Sequence, residues 1–233
     1  MTGRKIFSGA AFAAALSFVA AMAILAQDNE PRVVSALEGQ PPSDAVVLFG
    51  GESLAEWTYT DGKPAGWTLV EGAMEVKGGG IMTKKEFGDM QLHIEFATPA
   101  PAKGEGQDRG NSGVYIQGIY ELQVLDSYEN ETYIDGMCGA IYLQYPPLVN
   151  SSRRPGEWQA YDIIFHAARF DEMGLVTKKA TLTVLHNGVL IQDNIKIKAT
   201  PGGVRDTEGP CGPIFLQDHH HPVRYRNIWV REL

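Results

Sequence analysis

Arg109-Gly-Asn-Ser-Gly-Val-Tyr-Ile-Gln-Gly-Ile-Tyr-Glu-Leu-Gln-Val-Leu-Asp126 holds two β-like runs back to back, residues 114–119 and 120–125. In the second run side chains alternate. Tyr120, Leu122 and Val124 point one way, and Glu121, Gln123 and Leu125 the other. Glu121 and Gln123 therefore sit side by side on one strand face. Asp126 follows on the opposite face unless a β-bulge turns it over. A carboxylate and an amide held two residues apart on a strand are rigidly placed, which suits proton transfer or sugar binding. The same alternation also describes the solvent face of an ordinary half-buried strand.

Outward from this stretch the same grammar repeats. Residues 46–49, 67–71, 73–77 and 81–83 are short strand patterns punctuated by Gly50-Gly51, Gly72 and Gly78-Gly-Gly80. Residues 89–98 alternate, with Met90, Leu92, Ile94 and Phe96 facing in and Gln91, His93 and Glu95 opposite. His93 reads as an exposed strand residue. Residues 141–144, 159–166, 214–218 and 223–232 continue the series. Asn187-Gly188 between the runs 179–186 and 189–192 is the strongest hairpin signal in the chain. No stretch of ten or more residues after the N-terminal region has a helical period. Strand after short strand implies an all-β sandwich of two antiparallel sheets, in one domain spanning 46–233. Residues 27–45, polar with Pro31, Pro41 and Pro42, read as a linker.

Residues 1–26 have the composition of an export signal. Arg4 and Lys5 precede an apolar run, and Ala21-Met22-Ala23 offers a small-x-small cleavage site. The alternative is an uncleaved anchor, since the run is nearly long enough to span a bilayer. The expected location is periplasmic or secreted. The chain has 233 residues and a formal charge of −8. That balance leaves no basic surplus for phosphates, so a nucleic-acid partner is not expected. Beyond a retained anchor, neither is a membrane. An exported chain with two cysteines, Cys138 and Cys211, permits one disulfide. Two buried thiols satisfy the same count.

A second polar cluster is Leu216-Gln-Asp-His-His-His-Pro222. Gln217 and His219 share a face, and Asp218 takes the other. Part of this cluster can bind a metal, shuttle a proton, hold a substrate hydroxyl or simply form a solvated turn. Arg226 can bind a hydroxyl or pair with a carboxylate. Trp158 can stack on a sugar ring or fill core. Phosphate loops, dinucleotide fingerprints, Cys-x-x-Cys pairs and serine elbows are missing from the sequence.

Asn111-Ser-Gly-Val-Tyr, Tyr120-Glu-Leu-Gln-Val-Leu-Asp126, Gly139-Ala-Ile-Tyr142, Gly156-Glu-Trp158, His186-Asn-Gly188, Leu216-Gln-Asp-His219 and Arg226-Asn-Ile-Trp229 occur in that order. Together they resemble the 3-keto-disaccharide hydrolase domain family over roughly residues 44–233. The resemblance implies a concanavalin A-like jelly roll, export from bacteria and action on an oligosaccharide or glycoside oxidised at C3. The implied chemistry is 1,2-elimination followed by hydration, in some members with a divalent metal ion. Removing the C2 proton needs a base, and the enolate and leaving oxygens need stabilising donors. Glu121 is the expected base. His219, or a metal held among Glu121, Asp218 and His219, would stabilise the enolate. Asp126 or Asp218 would be the acid, and Asn111, Gln123, Gln217, Arg226 and Trp158 would hold the sugar. His220 and His221 crowd a position that is usually small in the family. The two cysteines lie outside the family pattern, and a bond between Cys138 and Cys211 is expected. A two-carboxylate glycosidase and a non-catalytic lectin-like module remain alternatives on the same fold.

Overall fold

The computed structural model describes Met1, residues 31–37 and residues 39–233. Among these the chain forms fifteen strands and two single-turn 3₁₀ segments. In chain order the strands are β1 (Val46–Phe49), β2 (Trp57–Tyr59), β3 (Thr68–Val70), β4 (Ala73–Glu75), β5 (Ile81–Thr83), β6 (Met90–Ala97), β7 (Ser112–Ile116) and β8 (Tyr120–Val124). Then come β9 (Gln159–His166), β10 (Arg169–Phe170), β11 (Val176–Lys178), β12 (Thr181–His186), β13 (Val189–Lys196), β14 (Phe215–Leu216) and β15 (Arg224–Glu232).

Two antiparallel sheets carry the architecture, a jelly-roll β-sandwich. The larger has eight strands in the order β13-β12-β9-β6-β15-β4-β3, with β1 also paired to β15. The smaller has five, in the order β2-β5-β14-β7-β8, and β10 and β11 form a separate ribbon. Alternation dictates what lies between them. Leu92, Ile94 and Phe96 of β6, with Tyr161, Ile163 and Phe165 of β9, meet Val114, Leu122 and Leu216 of the small sheet in one core. Each such side chain contributes about 1.5–3 kcal/mol by leaving water. Buried hydroxyls find partners across the sandwich. Tyr225 Oη lies 2.7 Å from Ser112 Oγ, and Tyr161 Oη donates to the Gln123 carbonyl at 2.7 Å.

The Asn-Gly hairpin forms as its turn chemistry dictates. Asn187 (φ 54°) and Gly188 (φ 79°) both adopt the left-handed region that a tight two-residue turn requires. The site hairpin is shorter than its sequence suggests. The run 114–119 breaks after Ile116, where Gln117 (φ 53°) and Gly118 (φ 68°) reverse the chain into β8. The buried Gln117 amide donates to the Phe87 carbonyl at 3.1 Å and fixes that turn.

Several expectations are corrected. Residues 141–144 form no strand; Ile141 makes only isolated bridges to Leu122 and Tyr145. Strands β2, β10 and β11 are too short to leave a periodic signal. Within the expected linker, residues 39–45 lie against the domain, and Asp44 accepts from Arg231 Nε at 2.8 Å. The expected disulfide is not formed, since Cys138 and Cys211 are both free thiols. Cys138 is sealed in the core, 3.0 Å from Tyr161 Oη, while half-buried Cys211 turns to Glu86 at 3.2 Å. The expected export signal lies, apart from Met1, outside the described residues. Among the described residues no helix is long and apolar enough to cross a membrane.

Candidate active site

The face of the small sheet turned away from the core is where Glu121 and Gln123 emerge. Register assembles the rest. Tyr115 pairs with Glu121, Gly113 with Gln123, and Phe215 with Tyr115, so all of these share that face. Gln217 extends the row, its backbone N–H donating to the Gly113 carbonyl at 3.0 Å. Loop residues Tyr142 and Pro201 close over the strands. Together with Asn111 and His219 they leave a pocket of about 80 Å³. That volume takes a few waters or the reacting edge of a sugar ring.

Glu121 is 3% exposed although it lies outside the apolar core. Burial pushes its carboxyl up to about 7, and the nearby Tyr115 hydroxyl only partly offsets this. Gly113 makes the room. A Cβ there would lie 2.7 Å from Glu121 Oε1 and 3.0 Å from the Tyr115 ring. Burial raises the Tyr115 phenol above its ordinary range, and the Glu121 charge adds to the shift. Tyr115 therefore stays protonated and able to donate. Its hydroxyl donates to the Pro201 carbonyl at 3.3 Å and accepts from Gln217 Nε2 at 3.3 Å.

The amides are held by one end only. Gln123 Nε2 donates to Gln107 Oε1 at 3.0 Å and to the Gly136 carbonyl at 3.2 Å. Asn111 Nδ2 donates to the Gln107 carbonyl at 2.9 Å. Gln123 Oε1 and Gln217 Oε1 are buried with no partner among the described residues. A buried acceptor without a donor costs about 1–3 kcal/mol, so two of them in one pocket call for hydroxyl donors from a ligand.

Of the residues singled out in the sequence, the structure brings together Asn111, Glu121, Gln123, Gln217 and His219. His219 stands exposed at the rim. The others go elsewhere. Asp126, expected as an acid, faces away as alternation required; it accepts from Arg109 Nε at 2.7 Å and from the Tyr128 N–H at 3.2 Å, pinning a loop. Asp218, the other expected acid, accepts from the N–H groups of Gly79 and His220, each at 2.8 Å, and so organises its turn. Arg226 and Trp158 meet on the outer face of the large sheet, the guanidinium 4.0 Å from the ring centroid and Arg226 Nε 2.6 Å from Glu95. Neither can touch a sugar at Glu121. His93 lies on that same face, stacked on Trp229 and 2.7 Å from Asp162, and is largely buried rather than exposed.

Tyr115, Tyr142 and Pro201 were missed. Tyr115 was legible as the same-face neighbour of Gly113 once the β7–β8 register is known. Tyr142 and Pro201 arrive on loops whose course no periodicity reveals. As a metal site the pocket is poorly furnished. It offers one carboxylate and one imidazole, and with Asp218 turned away no group of three possible ligands forms among the described residues. A catalytic zinc takes three ligands from protein.

The 3-keto-alpha-glucoside-1,2-lyase-like domain family matches residues 44–231. The chain belongs to this family. A candidate glycosyl hydrolase from Parabacteroides distasonis shares 43% identity over 88% of this chain and 92% of its own, with a TM-score of 0.79. A second candidate glycosyl hydrolase from that organism, at 18% identity, covers 82% of this chain and 94% of its own with a TM-score of 0.61, a likeness of fold. No curated protein matches. Membership places the chain in a family of carbohydrate-active domains.

Proposed function

We propose that this chain is an exported enzyme that cleaves 3-keto-glycosides, with Glu121 as the base. The observation that carries the reading is one buried carboxylate, poised near neutrality, in a pocket otherwise lined by amides, tyrosines, proline and a histidine. A base works best when its pKa lies near the working pH. A ketone at C3 makes the neighbouring C2 proton acidic enough for such a base.

In the first step the Glu121 carboxylate takes the C2 proton, and the electron pair moves onto the C3 oxygen. The Tyr115 hydroxyl and the Asn111 and Gln217 amides are the donors at hand for that enolate. The pair then returns to form the C1–C2 double bond, and the C1–O bond breaks. His219 at the rim delivers a proton to the departing oxygen. Water added to the resulting enone completes net hydrolysis. Gln123 and Gln217 accept hydrogen bonds from ring hydroxyls and hold the sugar in register. The donor set gives no reason to route a step through a metal.

A two-carboxylate glycosidase needs a second carboxyl group across the scissile bond. Among the described residues Glu121 is the sole carboxylate lining this pocket. The test is an assay of a 3-keto-glucoside beside its unoxidised parent, with and without chelator. Turnover of the keto compound alone, unchanged by chelator, is expected. Turnover of the parent would point to the two-carboxylate glycosidase, binding without turnover of either to a lectin, and loss of activity on chelation to a metal.

A further inference from the structure

Beside the catalytic pocket lies a much larger depression, about 760 Å³, lined by Leu143, Gln144, Tyr145, Thr177, Ile197 and four lysines. The lysines are Lys178, Lys179, Lys196 and Lys198, four of the ten in the chain. All four are exposed, and none forms an ion pair with a described residue. Among the described residues no carboxylate lines the depression. In a chain of net charge −8 this is a local reversal of sign. Four ammonium groups around one depression set up a positive field that attracts an anionic ligand.

The depression is tied to the catalytic pocket by the same two segments that wall it. Thr200 Oγ1 accepts from the Glu121 N–H at 3.3 Å and from Gln144 Nε2 at 3.1 Å. Gln144 also clamps the Lys198 backbone, donating to its carbonyl at 2.8 Å and accepting from its N–H at 3.0 Å. Tyr142 faces Glu121, while Leu143 and Tyr145, one and three residues on, line the depression. Tyr145 is 40% exposed, an aromatic face beside the lysines. An aromatic surface among ammonium groups matches a sugar ring that carries an anionic substituent.

We propose that this lysine-lined cleft binds the anionic portion of an extended saccharide whose reacting unit enters the Glu121 pocket. Ligands of this class are glycans bearing carboxylate or sulfate groups. The inference rests on the site assigned above, but its test is binding and needs no turnover. Full-length Glu121→Gln protein is titrated calorimetrically with a galacturonic acid tetrasaccharide, a sulfated tetrasaccharide and a neutral glucose tetrasaccharide, at 20 mM and 300 mM salt. At low salt at least one acidic ligand should bind ten-fold or more tightly than the neutral one, and which one does so identifies the anionic group. High salt should collapse that preference. So should the added substitutions Lys178→Ser, Lys179→Ser, Lys196→Ser and Lys198→Ser, with the melting temperature as control for folding. In a chain that keeps Glu121 the same four changes should leave turnover of a neutral 3-keto-disaccharide intact. Equal affinity for acidic and neutral ligands overturns the proposal, as does acidic preference that survives the lysine changes, or tighter binding of single-stranded DNA than of either acidic glycan. If the wild type turns over no keto-glycoside while the acidic preference holds, the catalytic reading fails and the cleft assignment stands.

Discussion

Glu121→Gln should make the protein more stable at pH 8 and nearly inactive, and both effects follow from one buried charge. Burial raises the carboxyl from an ordinary 4.5 to about 7. Between those values the folded state holds a proton that the unfolded chain has released, so wild-type stability falls as pH rises through this window. Above it the folded protein carries the full penalty, about 3 kcal/mol at roughly 1.4 kcal/mol per pKa unit. The amide pays none of it. At pH 4.5 and below the two proteins differ only by the exchange of acid for amide, a term that pH leaves alone. The change in their difference between pH 4.5 and pH 8 therefore isolates the charge. For a domain of this size it should appear as a relative gain of about 6–12 °C in melting temperature. Activity should move the other way, since loss of a general base costs about 100- to 10,000-fold. In the wild type, kcat/KM should rise with pH and level off, with its midpoint near 7. A stability difference that is the same at both pH values would refute the buried charge. Retention of more than about a tenth of the wild-type rate, under about 1.4 kcal/mol in the barrier, would refute its role as base.

Tyr115→Phe removes a donor that the enolate would use while keeping the ring, so kcat should fall by about 10- to 1000-fold with little change in KM; a rise in KM alone would make Tyr115 a plain binding group. His93 is held at about 9, burial working to lower it and its interactions with the accepting carboxylates of Asp162 and Glu95 outweighing that. Its ion pairs are at full strength below about 6.5 and fade as pH rises through 9, so His93→Gln should destabilise at pH 7 and differ little from wild type at pH 10. Equal destabilisation at both values would count against the pairing. Both thiols should survive in protein purified without reductant, with Cys211 reacting with a thiol reagent in the native state and Cys138 only after unfolding; intact mass two units lower would reveal the bond instead.

Alternation made most of this fold readable. The inward residues of β6 and β9 and the Asn187-Gly188 turn follow from local patterns that tertiary packing had no reason to override. The same rule placed Glu121 and Gln123 on one face and set Asp126 on the other. What alternation cannot give is the height of the wall around that face. Glu121 and Gln123 looked compatible with a solvent-facing sheet because nothing local to β8 announces that Tyr142 and Pro201 will cover them. Asp126, Asp218 and Arg226 drew attention by residue type, yet each is consumed by a local partner. Asp126, two residues past the end of β8, has a backbone N–H group and an arginine nearby to satisfy, and those claims are invisible without coordinates.

The burial of Glu121 is itself an argument about function. A carboxylate on the outer face of a sheet would ordinarily be left in water, where its charge costs nothing. Here Gly113 withholds a side chain to admit it, Thr200 ties down its backbone, and two loops keep water away. The same pocket leaves the oxygens of Gln123 and Gln217 without donors. The buried charge and the two unpartnered oxygens are stability costs in the free protein, and replacing Glu121 by a neutral group would remove the largest of them. Costs gathered in one pocket, rather than scattered over the surface, fit a site whose energetic return comes when a hydroxylated ligand arrives. The ligand's hydroxyls satisfy the two amides, and its acidic carbon supplies the proton that a carboxylate near neutrality is suited to take.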